Sequence, residues 1–437
     1  MQGKGVREVS SRTLADWLDY QQRTHPRSIE LGLDRVREVW RRLGTPAPAP
    51  VVITVGGTNG KGSTVAFLEA MLATMGRRVG CYTSPHLLRY NERIRVAGAD
   101  ADDALLIDAF ARIEAARGAD STNPVALTYF EFGTLAALWI FAQSGLDAAV
   151  LEVGLGGRLD AVNIVDADAA IVVTVDLDHQ DWLGNDVDVI GREKAGIFRK
   201  DRPAIVGMRE PPRGLLDEAA RIGARIVRAG HDFRISPQID SWRWDCGGES
   251  LLLPQPDLAA PCQIDNAAAA IMALHALRDR IGRDAAAIAR GVRAARVTAR
   301  LQRLHKNDAG ELVIDVGHNP QAARVLAQWL AAHPPRGRNL AVFGALADKD
   351  VAGIVEPLLP HIAQWHLCGL DADSPRGLSA THLRERMPPA KSDAHASAAV
   401  ALDAAALRAG AEDRLLAFGS FFVAAPALEW AQRTGYG

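Results

Sequence analysis

Cysteine is scarce in this chain: four residues, Cys81, Cys246, Cys262 and Cys368, in 437. None forms a C-x-x-C pair, and their scatter argues against a disulfide framework or a structural zinc knot. Net charge is almost absent as well. Lys and Arg total 50 against 52 Asp and Glu, a formal charge of -2. That balance gives no support to a broad nucleic-acid footprint, although it leaves room for a local positive pocket. No apolar run reaches the roughly 18 residues of a membrane span, and the opening MQGKGVREVS has no apolar signal-peptide core. Solenoid repeats and low-complexity tails are missing too. What is present, 48% hydrophobic and 23% charged residues, is a globular composition. A chain this long usually splits into two or three domains, so the expectation is a soluble, cytoplasmic, multidomain α/β protein without membrane or nucleic-acid partners.

Residues 11 to 43 carry apolar positions at helical spacing, among them Leu14, Trp17, Leu18, Leu31, Leu33, Val36, Val39 and Trp40, and predict one or two helices. Thr45 to Pro50 is a stiff proline connector. The β-branched run Val51 to Val55 then predicts a buried parallel strand. It feeds the glycine loop Gly56 to Ser63 and a helix that stops at Gly76. Further strands are expected near Val79 to Tyr82, Ala148 to Val153, Ala169 to Val175 and Pro203 to Gly207, with a long helix-rich insertion before Ala148. Short alternating runs from Asp232 to Leu253 predict a small antiparallel patch, and the alanine-rich segment from Asp265 predicts a helix. A boundary falls near Ala295. A second α/β series follows, with strands at Leu312, Asn339, Gln364 and Arg414. The fold class expected is α/β: a P-loop-type, mostly parallel sheet domain flanked by helices over 1–295, and a smaller Rossmann-like domain over 296–437.

Chemistry concentrates where these strands end. In Gly57-Thr58-Asn59-Gly60-Lys61-Gly62-Ser63, glycines let successive N–H groups turn toward a phosphate, and the next helix adds its positive N-terminus. Lys61 supplies a mobile cation, and the Ser63 hydroxyl is placed for magnesium. The string departs from G-x-x-x-x-G-K-[ST] at Val55 and Gly62, so the competing reading is a structural glycine turn, which would not need the lysine. Glu152, leaving a buried strand, is costly to bury unpaired; Mg2+ or a salt bridge to Arg158 would compensate it. Asp160 and Asn163 follow as polar contacts. His179 stands among Asp176, Asp178 and Asp181, a plausible metal ligand by position, though magnesium prefers oxygen. Lys194 reads either as a point charge between phosphates or as a surface lysine. In the second domain Asp315, His318 and Asn319 end one strand, and Asp348, Lys349 and Asp350 the next, where open α/β sheets bind ligands. Closure of that domain over a nucleotide would exclude water from an activated intermediate.

Taken together, TVGGTNGKGST, YTSPHLLRYNERI, LEVGLGGRLDAVN, VDLDHQDWLG, GREKAGIF, DVGHNP and FGSF, in this order from about Leu14 to Phe422, resemble folylpolyglutamate synthases, and in particular the bacterial bifunctional form with dihydrofolate synthase activity. The phosphate loop alone would indicate only the wider Mur-type amide ligases. The resemblance implies ATP-dependent joining of L-glutamate to dihydropteroate, and further glutamates to reduced folates, through an acyl phosphate. It implies that Gly57, Thr58, Asn59, Gly60, Lys61, Gly62, Ser63 and Thr64 hold the phosphates, with Asn266, Arg300, Asp315 and His318 also on the nucleotide. Ser63 and Glu152 would ligate one Mg2+; Ser84, Glu152 and His179 a second. Lys194 matches a lysine that is carbamylated in the family, and Lys61, His179, Lys194, Asp315 and His318 form the implied catalytic set. Folate would lie against Thr83, Ser84, Pro85, His86, Leu87, Arg89 and Phe130, with Asp160 and Asn163 nearby; Phe130 also fits an ordinary buried helix. One site built from both domains permits a monomer.

The chain departs from the family pattern in places. The usual DATN reads Asp160-Ala161-Val162-Asn163, and DGAHNP reads DVGHNP. Thr298-Ala299 stands where a Pro-Gly pair is common before Arg300, and Cys262-Gln263 and Asp265-Asn266 replace a usual histidine–asparagine pair followed later by asparagine. Rival functions are a monofunctional folate enzyme, a Mur-type ligase acting on a peptidoglycan precursor, and a noncatalytic ATP-binding module.

Overall fold

The computed structural model describes residues 12–27, 29–120, 122–306 and 310–437. The chain forms two compact units: Met1–Pro256 with Ile264–Ala295, and Asp257–Gln263 with Arg296–Gly437. The opening residues read for a signal peptide lie outside the described ones.

The first unit is built on eight strands: β1 (Val51–Gly56), β2 (Val79–Tyr82), β3 (Ile94–Val96), β4 (Ala99–Asp100), β5 (Ala148–Glu152), β6 (Ala169–Val172), β7 (Pro203–Val206) and β8 (Arg225–Arg228). Their order is β4-β3-β2-β5-β1-β6-β7-β8. Every residue of β1, β5, β6 and β7 is buried, which is why they read as unbroken apolar runs: helices cover both faces of a parallel sheet. The edge strands β3 and β4 are antiparallel. They are three and two residues long and carry no alternation, so the segment before Ala148 was legible only as helix-rich. Strand β6 stops at Val172, three residues short of the expected end, because Thr174 leaves the sheet to bond the glycine loop.

The expected N-terminal helices are two, Leu14–Thr24 and Asp34–Leu43. Trp17, Val36 and Val39 sink into one core with Phe110, Phe132 and the sheet. The alternating segment is a three-stranded antiparallel sheet of β9 (Phe233–Pro237), β10 (Ser241–Cys246) and β11 (Glu249–Pro254). Trp242 and Trp244 are its buried face.

The second unit has a six-stranded sheet of β12 (Gln302–His305), β13 (Glu311–Asp315), β14 (Asn339–Phe343), β15 (Gln364–Cys368), β16 (Ser392–His395) and β17 (Arg414–Phe418). The order is β12-β13-β17-β14-β15-β16, parallel except for β12. Its core joins Trp329, Phe343, Trp365, Leu383 and Phe418. Among the described residues no helix is long and apolar enough to cross a membrane.

Candidate active site

Register sets the first unit's site. Strand β1 lies between β5 and β6, with Val55 beside Glu152 and Gly56 beside Val172, so three strand ends open on the glycine loop. The loop is held by the chain leaving β6. Thr58 N–H donates to the Thr174 carbonyl at 2.8 Å and Asn59 N–H to Thr174 Oγ1 at 2.9 Å. The Thr174 hydroxyl donates back to the Asn59 carbonyl at 3.0 Å, and Asp176 N–H to Thr58 Oγ1 at 3.0 Å. Gly60, at φ 85, begins the helix Lys61–Thr74; a Cβ there would sit 2.6 Å from Asn266 Oδ1 and 2.8 Å from Val173 Cγ1. Buried Asn266 therefore lies against the loop.

Lys61 Nζ donates to the Gly57 and Thr58 carbonyls at 3.0 and 3.1 Å, folding back over the loop. Gly57, Thr58, Lys61, Asp178, His179 and Lys194 line one cleft with Val153–Gly156. Thr64 turns elsewhere: its amide and hydroxyl both donate to the Gly60 carbonyl at 2.9 Å.

Glu152 is 5% exposed and accepts from Ser84 N–H at 3.1 Å. The alternative partner Arg158 is taken by Glu193 at 3.1 Å. Both Glu152 oxygens would be 3.8 Å from a Cβ at Gly62, so the carboxylate overlooks the loop. Lys194, on the helix Val187–Ala195, is 4% exposed, which removes its reading as a surface lysine. Burial, reinforced by Lys61 and opposed by Asp178, Asp160 and Glu193, lowers its amine from 10.5 to about 7. His179 takes φ 51 at the head of the short helix Gln180–Leu183. Among the described residues no three His, Cys, Asp or Glu side chains gather as a metal cluster. A cation here would need hydroxyl and phosphate oxygens beside Glu152, the donor set magnesium favours.

Beside this cleft, Phe130 packs on Tyr82 with ring centroids 5.9 Å apart, and its Cζ would be 2.6 Å from a Cβ at Gly154. Phe130 is partly exposed at the start of the helix Tyr129–Gln143. Asp160 is buried, accepting from Leu155 and Val162 N–H at 2.9 and 3.0 Å; burial raises its carboxyl to about 7 against those bonds and Lys61. A cis peptide joins Ser84 to Pro85, and the Thr83 N–H is tied to the Arg93 carbonyl at 2.9 Å. Leu87 N–H donates to Glu92 at 2.7 Å. His86 Nδ1 accepts from Arg93 Nε at 2.8 Å, and burial with the Arg93 charge lowers the imidazole to about 4. Two expected folate residues are otherwise engaged. Arg89 is exposed and pairs with Asp103 at 3.2 Å. The Asn163 amide donates to the Arg158 and Gly196 carbonyls and accepts from Arg199.

In the second unit, half-buried Asp315 accepts from Leu301 N–H at 2.7 Å and Gly317 N–H at 2.6 Å. Burial raises its carboxyl, opposed first by Arg300. Asp315 thus anchors the turn that carries Arg300, with Ala299 and Leu301 both left-handed at φ 55 and 46. His318 Nδ1 lies 2.9 Å from the Val316 carbonyl. Thr174 and Arg93 are the residues sequence reading missed. A threonine after a strand carries no signal alone, and Arg93 was quoted inside YTSPHLLRYNERI without being singled out.

The model of the Mur ligase, glutamate ligase domain family matches residues 299–421. The dihydrofolate synthase/folylpolyglutamate synthase of Escherichia coli (strain K12) is 45% identical over 97% of each chain. A structure of E. coli FolC in complex with DHPP and ADP shares 44% identity and a TM-score of 0.90, over 97% of this chain and 99% of that one. Another, of a bifunctional folylpolyglutamate synthase/dihydrofolate synthase with Mn, AMPPNP and L-glutamate bound, shares 42% identity and a TM-score of 0.86 with the same coverage. With identity of this degree over 97% of the chain, the phosphate loop and Glu152 at adjoining strand ends, and Lys194 in the loop's cleft, the chain belongs to the bifunctional dihydrofolate synthase/folylpolyglutamate synthase family.

Proposed function

We propose that this chain is an ATP-dependent amide ligase that joins L-glutamate to dihydropteroate, giving dihydrofolate, and adds further glutamates to reduced folates. The observation that carries the reading is the glycine loop, zipped to Thr174, overlooked by the Glu152 carboxylate and sharing one cleft with Lys194. The loop amides and Lys61 bind the ATP phosphates and neutralise charge on the transferring phosphoryl group. The substrate carboxylate attacks that phosphorus in line, ADP leaves, and the glutamate amine displaces phosphate from the acyl phosphate. Holding both partners in one site supplies much of the rate advantage. Ser63, Ser84, Glu152 and His179 would hold Mg2+, which screens phosphate charge when bound. Asn266, Arg300, Asp315 and His318 serve the nucleotide; Phe130 and the Thr83–Leu87 loop serve the folate.

Lys194 is the carbamylation site in this reading. A buried amine near 7 is substantially neutral at physiological pH, so its lone pair can add to CO2 with loss of one proton, leaving a carboxylate-like group in place of a cation. Enzyme stripped of CO2 should lose most of its activity and recover it on adding bicarbonate, with a carbamate signal from 13C-labelled CO2. Full activity without CO2 and no such signal would reject the modification.

Phosphate release with product mass spectrometry, run on dihydropteroate and on tetrahydrofolate with L-glutamate, tests the function. Glutamate-bearing products from both substrates are expected, with 18O moving from the substrate carboxylate to phosphate. Product from one substrate alone would reduce the enzyme to that activity, and product from neither would reject it.

A further inference from the structure

Arg93 closes the short turn Tyr90–Arg93 and leads into β3, and it is 8% exposed. A buried guanidinium is normally matched by a carboxylate, because an unpaired charge loses hydration without compensation. Among the described residues Arg93 has no carboxylate partner. Its Nε donates to His86 Nδ1 at 2.8 Å, and its carbon lies 5.3 Å from the Tyr90 ring centroid and 5.4 Å from that of Tyr129. These contacts fix the plane of the guanidinium and stabilise its charge through the ring faces. Among the described residues its Nη groups make no hydrogen bond, and they are not sealed from solvent. A rigid fork of donors is thus presented without an acceptor.

Strand order says which part of a substrate it can meet. From the phosphate loop on β1 the sheet runs through β5 and β2 to β3, three spacings or about 14 Å. The carboxylate to be activated must sit by the loop and Glu152. Dihydropteroate carries its pterin at the other end, beyond the p-aminobenzoyl ring. Phe130, partly exposed and backed by the buried Tyr82 ring, supplies a flat wall on the way, at the β2 end of that path. The 4-oxo group and N5 of a dihydropterin are neighbouring acceptors on one edge, a match for two forked N–H donors.

Resting on the ligase reading above, we propose that Arg93 is the residue that recognises the pterin end of the folate substrate, its free Nη groups donating to the 4-oxo and N5 edge. Steady-state kinetics on the full-length enzyme tests this with Arg93→Met and Arg93→Lys. Wild-type turnover of dihydropteroate tests the ligase reading by itself; given that turnover, the variants test only Arg93. For Arg93→Met the KM for dihydropteroate should rise at least tenfold, with the KM for ATP and the Ki of p-aminobenzoyl-L-glutamate, a pterin-free inhibitor, within twofold of wild type. A smaller rise would overturn the proposal. So would a parallel rise in the Ki of the pterin-free inhibitor, which would put the guanidinium on a carboxylate instead. If the methionine variant does not fold, Arg93→Lys decides: the lysine keeps the charge but not the fork, so the dihydropteroate KM should still rise at least threefold at near-wild-type kcat, and an unchanged KM would overturn it.

Discussion

A side chain at position 60 would meet two obstacles at once. The residue sits at φ 85, where an L-residue is strained by roughly 1–2 kcal/mol, and its Cβ would intrude on Asn266 Oδ1 and Val173 Cγ1. Asn266 is the softer obstacle, so Gly60→Ala should move the amide that the proposed function places on the nucleotide. ATP affinity should fall at least tenfold, about 1.4 kcal/mol or more, while p-aminobenzoyl-L-glutamate affinity stays near wild type. Calorimetric titration with each ligand separates the two, and unchanged ATP affinity would remove Asn266 from the nucleotide site. At this scale the sequence was most informative where residue type restricts the chemistry. A lysine inside a glycine loop and a glutamate ending an apolar run point to ligands by residue type alone. Arg93 was silent because what sets it apart, a buried guanidinium with no carboxylate partner among the described residues, is disclosed only by packing. Arg89, the more conspicuous neighbour, proves to be a surface ion pair with Asp103.

Among the elements, the turn that carries Arg300 shows how a departure from the family pattern becomes readable. A Pro-Gly pair is common before this arginine, and Thr298-Ala299 replaces it here. Ala299 nevertheless takes φ 55, the left-handed conformation a glycine adopts freely, and Asp315 holds the turn by accepting from Leu301 N–H. Ala299→Gly should relieve that strain and stabilise the protein by up to about 1 kcal/mol, net of the entropy glycine adds to the unfolded chain. Asp315→Ala should destabilise by about 1–3 kcal/mol through the buried amides it leaves unsatisfied. Urea denaturation checks both; destabilisation by Ala299→Gly would mean the backbone there is not left-handed. The same distinction explains which strands were legible. Those buried on both faces, β1, β5, β13, β14, β15 and β17, announced themselves as apolar runs. The edge or near-edge strands β3, β4, β8, β12 and β16 did not, because partial exposure leaves short polar sequences such as RIVR and SDAH without a strand signature.

For the molecule as a whole, Lys194 and Asp160 make the ligand-free site a source of instability that depends on pH in opposite ways. Lys194 drops from 10.5 to about 7 on folding, so between those values the unfolded chain holds a proton that the folded one does not. Its contribution to stability is therefore lost as pH falls from about 10.5 through about 7, and stays lost below. Asp160 rises from 3.8 to about 7, so its contribution is lost as pH climbs through that window and stays lost above. Near neutrality both costs are close to their maximum, where the proposed carbamate and bound cations would relieve them. Active sites commonly exchange stability for reactivity in this way. Lys194→Met keeps the stem and removes the charge. Without ligands or CO2, it should melt above wild type at pH 7, with the difference shrinking toward pH 10 as the wild-type lysine loses its proton in the unfolded chain too. Ligase activity should be lost at every pH. Thermal melts of both proteins at pH 7, 8, 9 and 10 make the comparison: a constant difference would show that burial of a charge-bearing lysine is not what destabilises the apoprotein, and a variant less stable than wild type at pH 7 would mean the amine is held by contacts that outweigh its desolvation.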